Sequence, residues 1–412
     1  MNLGRMKWPV AGLLTLAFLP ERVRVVSAVT GDPIPGVSLE LPLAYLLLTP
    51  ITSTMDYVTL LTPRQHLLFV LLVLTLFTTW TVLRAADRPP GRRWAAAGAA
   101  AAKLLLCFLG LLCFYTYGAL GPRPMARLTV EDRDVVVIDF HSHTASSHDG
   151  RAGFTNTRNL AWHRAAGFDV AYITDHDSTR AALEAASRNP VLAGQGIVAL
   201  PGREVVFRGS HVVVLGTSDP REKEAEPGAH HPPDRCENFP VLIQTIPADL
   251  SRVPTPSCPD GAGGVRATEL VDGAPRGLEQ GIRERQRVFA LADSLDLSMV
   301  AVSNLHGWGR VAPGWSLMKI QGWREMTPAQ LSARIESDIR SKGAQAVTPV
   351  VRSVATGAPH RSWLTAAVLL PVDAVTLLSR GERLAWMAWG ALALLLYLKA
   401  SGSPARREAP GA

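Results

Sequence analysis

Cysteine is scarce: the 412 residues hold four. None are spaced C-x-x-C, which excludes a zinc site built from cysteine pairs. Cys107 and Cys113 fall inside an apolar run and read as helix- or lipid-facing residues. Cys236 and Cys258 fall in a proline-rich stretch, either as a disulfide or as two free thiols. Lysine is also scarce; arginine carries most of the basic charge, beside much Ala, Gly and Pro, which reflects compositional bias. The net charge of +7 comes without any basic helix interleaved with aromatics, so nucleic acid is not indicated as a partner. The basic residues instead flank apolar runs, as they do at membrane boundaries. No internal repeat is present. No small-x-small cleavage site follows the apolar run Trp8 to Leu19, because Glu21, Arg22 and Arg24 interrupt. That run reads as a retained anchor or interfacial helix, since it falls short of the ~20 residues of a full span.

The long apolar runs come next. Residues Val37 to Leu61 are broken by Pro42, Pro50 and Asp56, as in a kinked or re-entrant segment. His66 to Leu83 carries no charge, and Ala95 to Leu120 carries only Lys103; both are predicted spans, with Lys103 snorkelling or facing other helices. The loop between them has Arg84, Arg88, Arg92 and Arg93 against Asp87, which places it in the cytoplasm by the positive-inside rule. The domain after Gly121 is then expected outside the cytoplasm. Near the C-terminus, Leu364 to Leu378 contains Pro371 and Asp373 and is not assigned as a span. Leu384 to Leu398 is cleaner, bracketed by Arg383 and Lys399. The predicted organisation is a membrane region over 1–121, a folded domain over 122–360, and a second membrane region with a tail over 361–412. The expectation is an integral, multi-pass protein of the cell membrane.

The central region alternates short apolar runs with helical patterns, as βα units do. Predicted strands are Val135–Phe140, Val170–Thr174, Ile197–Leu200, Val205–Phe207, His211–Leu215, Val241–Ile246, Thr268–Val271 and Ser298–Ser303, with a Pro-Gly turn between the third and fourth. Predicted helices are Thr155–Ala166, Thr179–Ser187 (capped by Asp177 or Ser178), Arg276–Ser294 and Pro328–Ile339. Chemistry-bearing residues cluster at the strand ends. His141 and His143 follow the first strand as His-x-His, and residues i and i+2 of a strand share a face. His148 and Asp149 follow within eight residues. His176 sits in Thr174-Asp175-His176, Glu204 in Gly202-Arg203-Glu204, His211 opens a strand, and Asn304 and His306 follow another. Imidazole and carboxylate suit Zn, Mn or Fe.

This order of motifs resembles the polymerase-and-histidinol-phosphatase (PHP) family over roughly 134–310. The matching pieces are Asp139-x-His141-x-His143-Thr144 through Asp149-Gly150, Thr174-Asp175-His176, Gly202-x-Glu204, His211, and Asn304-x-His306. The resemblance implies an α/β fold, a distorted (β/α)7 barrel, here flanked by transmembrane helices at both ends. It also implies two or three divalent ions and hydrolysis of a phosphate mono- or diester by metal-activated water. By position, His141, His143 and Glu204 match ligands of one ion. Glu204 would bridge to a second alongside His211, and Asp149 or His148 with His176 and His306 would hold a third. Arg203 or Arg310 would neutralise developing phosphoryl charge; the plainer readings are a structural salt bridge and a solvated loop charge. Asp175, Asp177 and Asp139 are candidates for orienting ligands, and His163 and His66 carry no predicted role. Two positions depart from the family pattern: Thr245-Ile246-Pro247 stands where His-Pro is usual, and Asn304 replaces an Asp. His230 or His231 is the substitute candidate for the missing His. The departures keep open a domain that binds without catalysis, and a metal-dependent amidohydrolase-like enzyme is the other alternative. A phosphate ester, possibly lipid-derived, and the bilayer are the expected partners.

Overall fold

The structure is a computed structural model; it describes residue 12 and residues 23–87, 89–220, 239–246, 264–353 and 363–402. The strands are β1 (Val25–Ser27), β2 (Val37–Glu40), β3 (Arg127–Val130), β4 (Val135–Asp139), β5 (Val170–Ile173), β6 (Val198–Phe207), β7 (Ser210–Leu215), β8 (Leu242–Gln244), β9 (Val265–Asp272), β10 (Ser298–Val302), β11 (Gly314–Lys319) and β12 (Thr348–Arg352). The helices are α1 (Leu43–Leu47), α2 (Thr49–Thr59), α3 (Pro63–Ala86), α4 (Arg93–Leu120), α5 (Asn156–Ala166), α6 (Arg180–Ala186), α7 (Pro275–Ser294), α8 (Pro328–Lys342), α9 (Trp363–Thr376) and α10 (Arg380–Gly402).

Ten strands form one curled half-barrel sheet, in the order β1-β12-β11-β4-β5-β6-β7-β8-β9-β10. β4, β5 and β6 run parallel, β7 is antiparallel to both β6 and β8, and β8, β9 and β10 run parallel again. The curl brings β10 back towards β4 and β11. Ser316 Oγ on β11 accepts from Ala301 N–H and donates to Ala301 O, both at 2.9 Å. Beyond β10, Ser303 N–H donates to Asp139 Oδ1 at 3.0 Å and its hydroxyl donates to Asp139 Oδ2. His143 N–H donates to Leu305 O at 2.8 Å. The C-terminal ends of β4 and β10 are thereby stitched together, and those ends carry the His-rich motifs.

Strand alternation sets the two faces of the sheet. Val136 and Ile138 of β4 join a core with Val170, Val198, Val213 and Val300, while Val137 joins the opposite one with Trp162, Phe168 and Trp315. α8 closes the first core with Leu331, Ile335 and Ile339, all fully or nearly fully buried. Their i, i+4, i+8 spacing puts them on one stripe, and each contributes about 1.5–3 kcal/mol by burial. Thr327 and Gln330 form a capping box that starts this helix.

Several sequence expectations change. Pro201-Gly202 does not turn the chain; it lies inside β6, which runs unbroken from Val198 to Phe207. Gly202 leaves no room for a side chain there, since a Cβ would sit 2.9 Å from both Thr174 Cγ2 and Val214 O. Residues 25–40, assigned by sequence to the membrane region, belong to the folded unit: β1 pairs with β12 and β2 with β3. β11 and β12 were not expected, and α8 runs on to Lys342. α6 begins after Thr179 with no side-chain cap from its N-cap residue. Asp177 instead takes φ +52°, and its N–H donates to Glu204 O at 2.9 Å. Apart from residue 12, the run Trp8–Leu19 lies outside the described residues, as do His230, His231, Pro247, Cys236 and Cys258.

Among the described residues, two helices are long and apolar enough to cross a membrane, Pro63–Ala86 and Trp94–Leu120. Only 11% of the apolar window of the first, and none of that of the second, is buried inside the protein. Leu105, Leu106, Phe108 and Leu112 of α4 are all exposed. α3 starts at Pro63 with a capping box between Thr62 and Gln65. Lys103 faces α3, with Nζ 5.9 Å from the centre of the Trp80 ring. The C-terminal run Leu384–Leu398 lies within α10, which Trp386 Nε1 and Trp389 Nε1 tie to Ser53 Oγ and Leu47 O.

Candidate metal centre

His141 and His143 emerge at the end of β4 with their rings close together. Their Nε2 atoms are 2.9 Å apart, and each approaches Glu204 Oε2, at 3.0 and 3.4 Å. Ion–nitrogen bonds of about 2.1 Å in a tetrahedral site place ligands roughly 3.4 Å from one another. These three donor atoms therefore fit around a single ion. Two imidazole nitrogens facing each other at 2.9 Å are otherwise a poor pair, because only a proton or a cation between them removes the lone-pair repulsion.

Glu204 connects this group to the next. Its Oε2 also lies 3.4 Å from His176 Nε2, and its Oε1 lies 2.9 Å from His211 Nδ1. Asp149 Oδ2 lies 3.0 Å from His306 Nε2 and 3.3 Å from His176 Nε2. His148, on the exposed rim, has its ring 4.5 Å from that of His176. Four overlapping triads result: His141–His143–Glu204, His143–Asp149–His306, His148–Asp149–His176 and His176–Glu204–His211, with ligand atoms within 4.8 Å in each. The donors are nitrogen and carboxylate oxygen only, the set that suits Zn, Mn or Fe. β4, β5, β6, β7 and β10 each supply at least one of them.

Charge in the cluster follows from burial and proximity. Burial opposes the charge on Glu204, but His141, His143 and His211 outweigh it and hold the carboxyl well below its ordinary range. Burial opposes charge on His141 too, and the carboxylates of Glu269 and Glu204 reverse that and hold its imidazole well above 6.5. Burial dominates at His143, pushing it down to about 3, so its ring is neutral and has a free lone pair. Asp149 is held low by Ser147 and the neighbouring histidines, against its own burial.

Two of the predicted residues lie elsewhere, and Asn304 is engaged through its amide nitrogen. Asn304 takes φ +43° and donates from Nδ2 to Asp272 Oδ2 at 3.0 Å, while its buried Oδ1 has no hydrogen-bond partner among the described residues. Arg203 sits next to Glu204 on β6, and strand alternation sends it to the opposite face. There Nη1 pairs with Asp219 Oδ2 at 3.1 Å and Nη2 donates to Thr217 O. Arg310 donates from Nε to Arg123 O at 2.7 Å, which ties a loop rather than facing the cluster. Thr245 Oγ1 donates to His211 O at 3.1 Å.

The sequence reading missed Glu269. It is 0% exposed on β9, with Oε1 2.7 Å from His141 Nδ1 and Oε2 accepting from Ile246 N–H at 3.0 Å. A lone carboxylate in the predicted strand Thr268–Val271 was the available signal, because a buried acid needs partners. His163, given no role, donates from Nε2 to Asp139 Oδ2 at 2.7 Å. Asp139 thus ties α5, the end of β4 and Ser303 together beneath the cluster. Asp175 does not orient His176; it accepts from Thr144 N–H at 2.6 Å and from the Thr144 hydroxyl at 2.7 Å. That bond fixes the turn leading to Asp149. Gly150 is packed against the same turn, where a Cβ would lie 1.8 Å from Thr144 O.

Fold and site together define a mixed α/β protein with a His/Glu/Asp cluster able to hold metal ions. No family model matches the chain, and no curated protein matches it. Among solved structures it is similar to PsfC from Pseudomonas syringae PB-5123, at 17% identity and TM-score 0.34, over 59% of this chain and 99% of that one. It is also similar to a two-domain protein from Bacteroides vulgatus ATCC 8482 containing a predicted PHP-like metal-dependent phosphoesterase. That match has 15% identity and TM-score 0.28, over 46% of this chain and 61% of that one.

Proposed function

We propose that this chain is a membrane-anchored, metal-dependent phosphoesterase built on a PHP-type barrel. The observation that carries the reading is Glu204. One of its oxygens faces His141, His143 and His176 while the other faces His211, the arrangement a bridging carboxylate needs between two ions. Divalent ions held there would lower the pKa of a water and neutralise phosphoryl oxygens. The residues of the chain do the rest. His141, His143 and Glu204 hold one position; His176 and His211 share Glu204 for another; Asp149 and His306 extend the site towards the open pocket beside them. Glu269 holds the Nδ1 proton of His141, so an ion arriving at Nε2 would have only the second proton of the ring to displace. The seven strands from β4 to β10, joined at their ends through Asp139–Ser303 and Ser142–Leu305, support the barrel. The exposed apolar faces of α3 and α4 support the anchor, because a water-soluble helix pair would bury them.

The test is phosphate release from p-nitrophenyl phosphate by the purified full chain, with Mn or Zn added after chelation. Metal-dependent turnover that His143→Ala reduces at least a hundredfold is expected. Ion binding without turnover would favour a domain that binds without catalysis, and no ion binding would end the metal reading altogether.

A further inference from the structure

A cavity of about 290 Å³ opens beside the cluster. Asp149 and His306 form its polar end. Trp162, Leu305, Trp308 and Val311 form an apolar side, and Thr59 and Leu60 close it. Thr59 is the last residue of α2, and Leu60 lies three residues before Pro63 opens α3. The far wall is therefore the chain that leads directly into the first of the two long apolar helices. The second reaches the same place: Gly309 N–H donates to Ala119 O at 2.9 Å, binding the Trp308 loop to the last turn of α4. Gly307, at φ +87° with no room for a Cβ against Phe154, sets the turn that carries Trp308 there. Arg123, just after α4, donates to Gly118 O at 2.9 Å and to Thr59 Oγ1 at 3.4 Å. The start of α3 and the end of α4 thus meet at the rim of the metal cavity.

From this juxtaposition we propose that the substrate is the phosphate ester of a membrane lipid, taken with its acyl chains still in the bilayer; the proposal rests on the phosphoesterase and membrane readings above. At about 290 Å³ the cavity stands at the lower end of the ~300–1,000 Å³ range of pockets that enclose drug-sized ligands. It admits a phosphate and its alcohol portion, and the acyl chains have to lie outside it. The surfaces available to them are the exposed apolar faces of α3 and α4, which begin and end at the cavity rim. Trp308, 52% exposed, stands at that rim, an aromatic with a polar N–H at the level where bilayer and water meet. In the reaction, water oxygen forms a bond to phosphorus and the bond from phosphorus to the lipid alcohol oxygen breaks. The alcohol leaves with one proton from the water, and the phosphate product keeps the water oxygen and the other proton.

The experiment uses the full chain in nanodiscs with Mn or Zn. It compares dioleoylphosphatidate with glycerol 3-phosphate, and dioleoylphosphatidylglycerol with its deacylated counterpart. In at least one pair, kcat/KM is expected to be tenfold or more higher for the acylated member. Trp308→Glu and Leu60→Ala should each lower that acylated-to-deacylated ratio at least fivefold, a quantity that does not depend on how much protein is folded. Equal or better turnover of the deacylated member in both pairs overturns the proposal, and so does an unchanged ratio in both variants. If p-nitrophenyl phosphate is hydrolysed in that case, only the lipid inference falls. If nothing is hydrolysed, the phosphoesterase reading falls with it.

Discussion

Replacing Glu269 with Gln tests whether this buried carboxylate sets the ligand state of His141. The change is nearly isosteric, so it leaves packing intact and alters only the hydrogen-bonding inventory. The native carboxylate accepts twice, from His141 Nδ1–H at 2.7 Å and from Ile246 N–H at 3.0 Å. A Gln amide has one acceptor oxygen and one donor nitrogen. If its oxygen stays on Ile246, its NH2 faces His141 Nδ1 and forces the other tautomer, with the proton on Nε2 where an ion would bind. If its oxygen turns to His141, two N–H donors meet at Ile246 and one is left unsatisfied, at about 1–3 kcal/mol. Either outcome weakens the centre. Loss of a partner behind a ligating His typically lowers metal affinity 10- to 100-fold, or about 1.4–2.7 kcal/mol. The assay is competition against a chromophoric chelator, for Zn and for Mn, with thermal unfolding of the chelated protein as the folding control. Affinity within twofold of wild type in a folded Glu269→Gln protein would refute the reasoning.

The remaining predictions concern the surroundings. Burial and the nearby Glu269 raise Asp272 to about 7 from the ordinary 3.8, so its neutral form is favoured in the folded state. The stability this brings is fully present below pH 4 and lost as pH rises through about 7, at most about 4 kcal/mol. Asp272→Asn should therefore gain on wild type in urea unfolding as the pH goes from 4 to 8, and a constant difference would contradict the shift. Arg352→Ala should destabilise by about 3–5 kcal/mol in thermal or denaturant unfolding, because Asp56 loses its 3.0 Å partner while buried. Gly150→Ala should displace the turn carrying Asp149 and lower the number of ions bound per chain, measured by elemental analysis, while His141–His143–Glu204 still binds.

The His/Glu/Asp cluster was legible because much of its geometry is local. His-x-His after an apolar strand places both rings together whatever the rest of the chain does, and His176 and His306 each lie just past a strand end, while Asp149 sits in the loop after β4 and Glu204 within β6. What the sequence hid depends on contacts across the chain. Glu269 meets His141 from 128 residues away, and nothing in Thr268–Val271 says which residue it faces. The pairing of Asp139 with His163 spans only 24 residues but likewise crosses from a strand to a helix. β1 is three residues long and is defined by β12, 323 or more positions later. The left-handed backbone of Asn304 and its bond from Nδ2 to Asp272 were equally hidden, because Asp272 lies 32 residues away on β9. Arg203 was misread for a simpler reason, since a neighbour of an inward-facing strand residue faces out. Pro201-Gly202 looked like a turn because those residues usually make one, but in β6 the strand needs a small residue beside Thr174 and Val214.

The same long-range contacts explain how a cluster on strand ends can be positioned against the apolar helices. Asp56 of α2 is buried between Arg352 of β12, at 3.0 Å, and Arg123 after α4, at 3.6 Å. Tyr45 of α1 donates to Asp56 at 3.1 Å and to Glu382 of α10 at 3.4 Å, and Glu382 also meets Arg24 at 3.4 Å. An ion cluster of this kind is a poor source of net stability, because desolvation offsets most of its attraction. Its geometric demands are strict, however, since any partner that moves away leaves a buried charge uncompensated. It therefore fixes α2, the end of α4 and the edge of the sheet in one relative position. Thr59 and Leu60 extend from that fixed point to the cavity wall, and Arg310 and Gly309 reach it from the other side. A wall held by paired charges cannot drift from the His/Glu/Asp cluster without breaking them, so the distance between the apolar helices and that cluster is set by the fold itself.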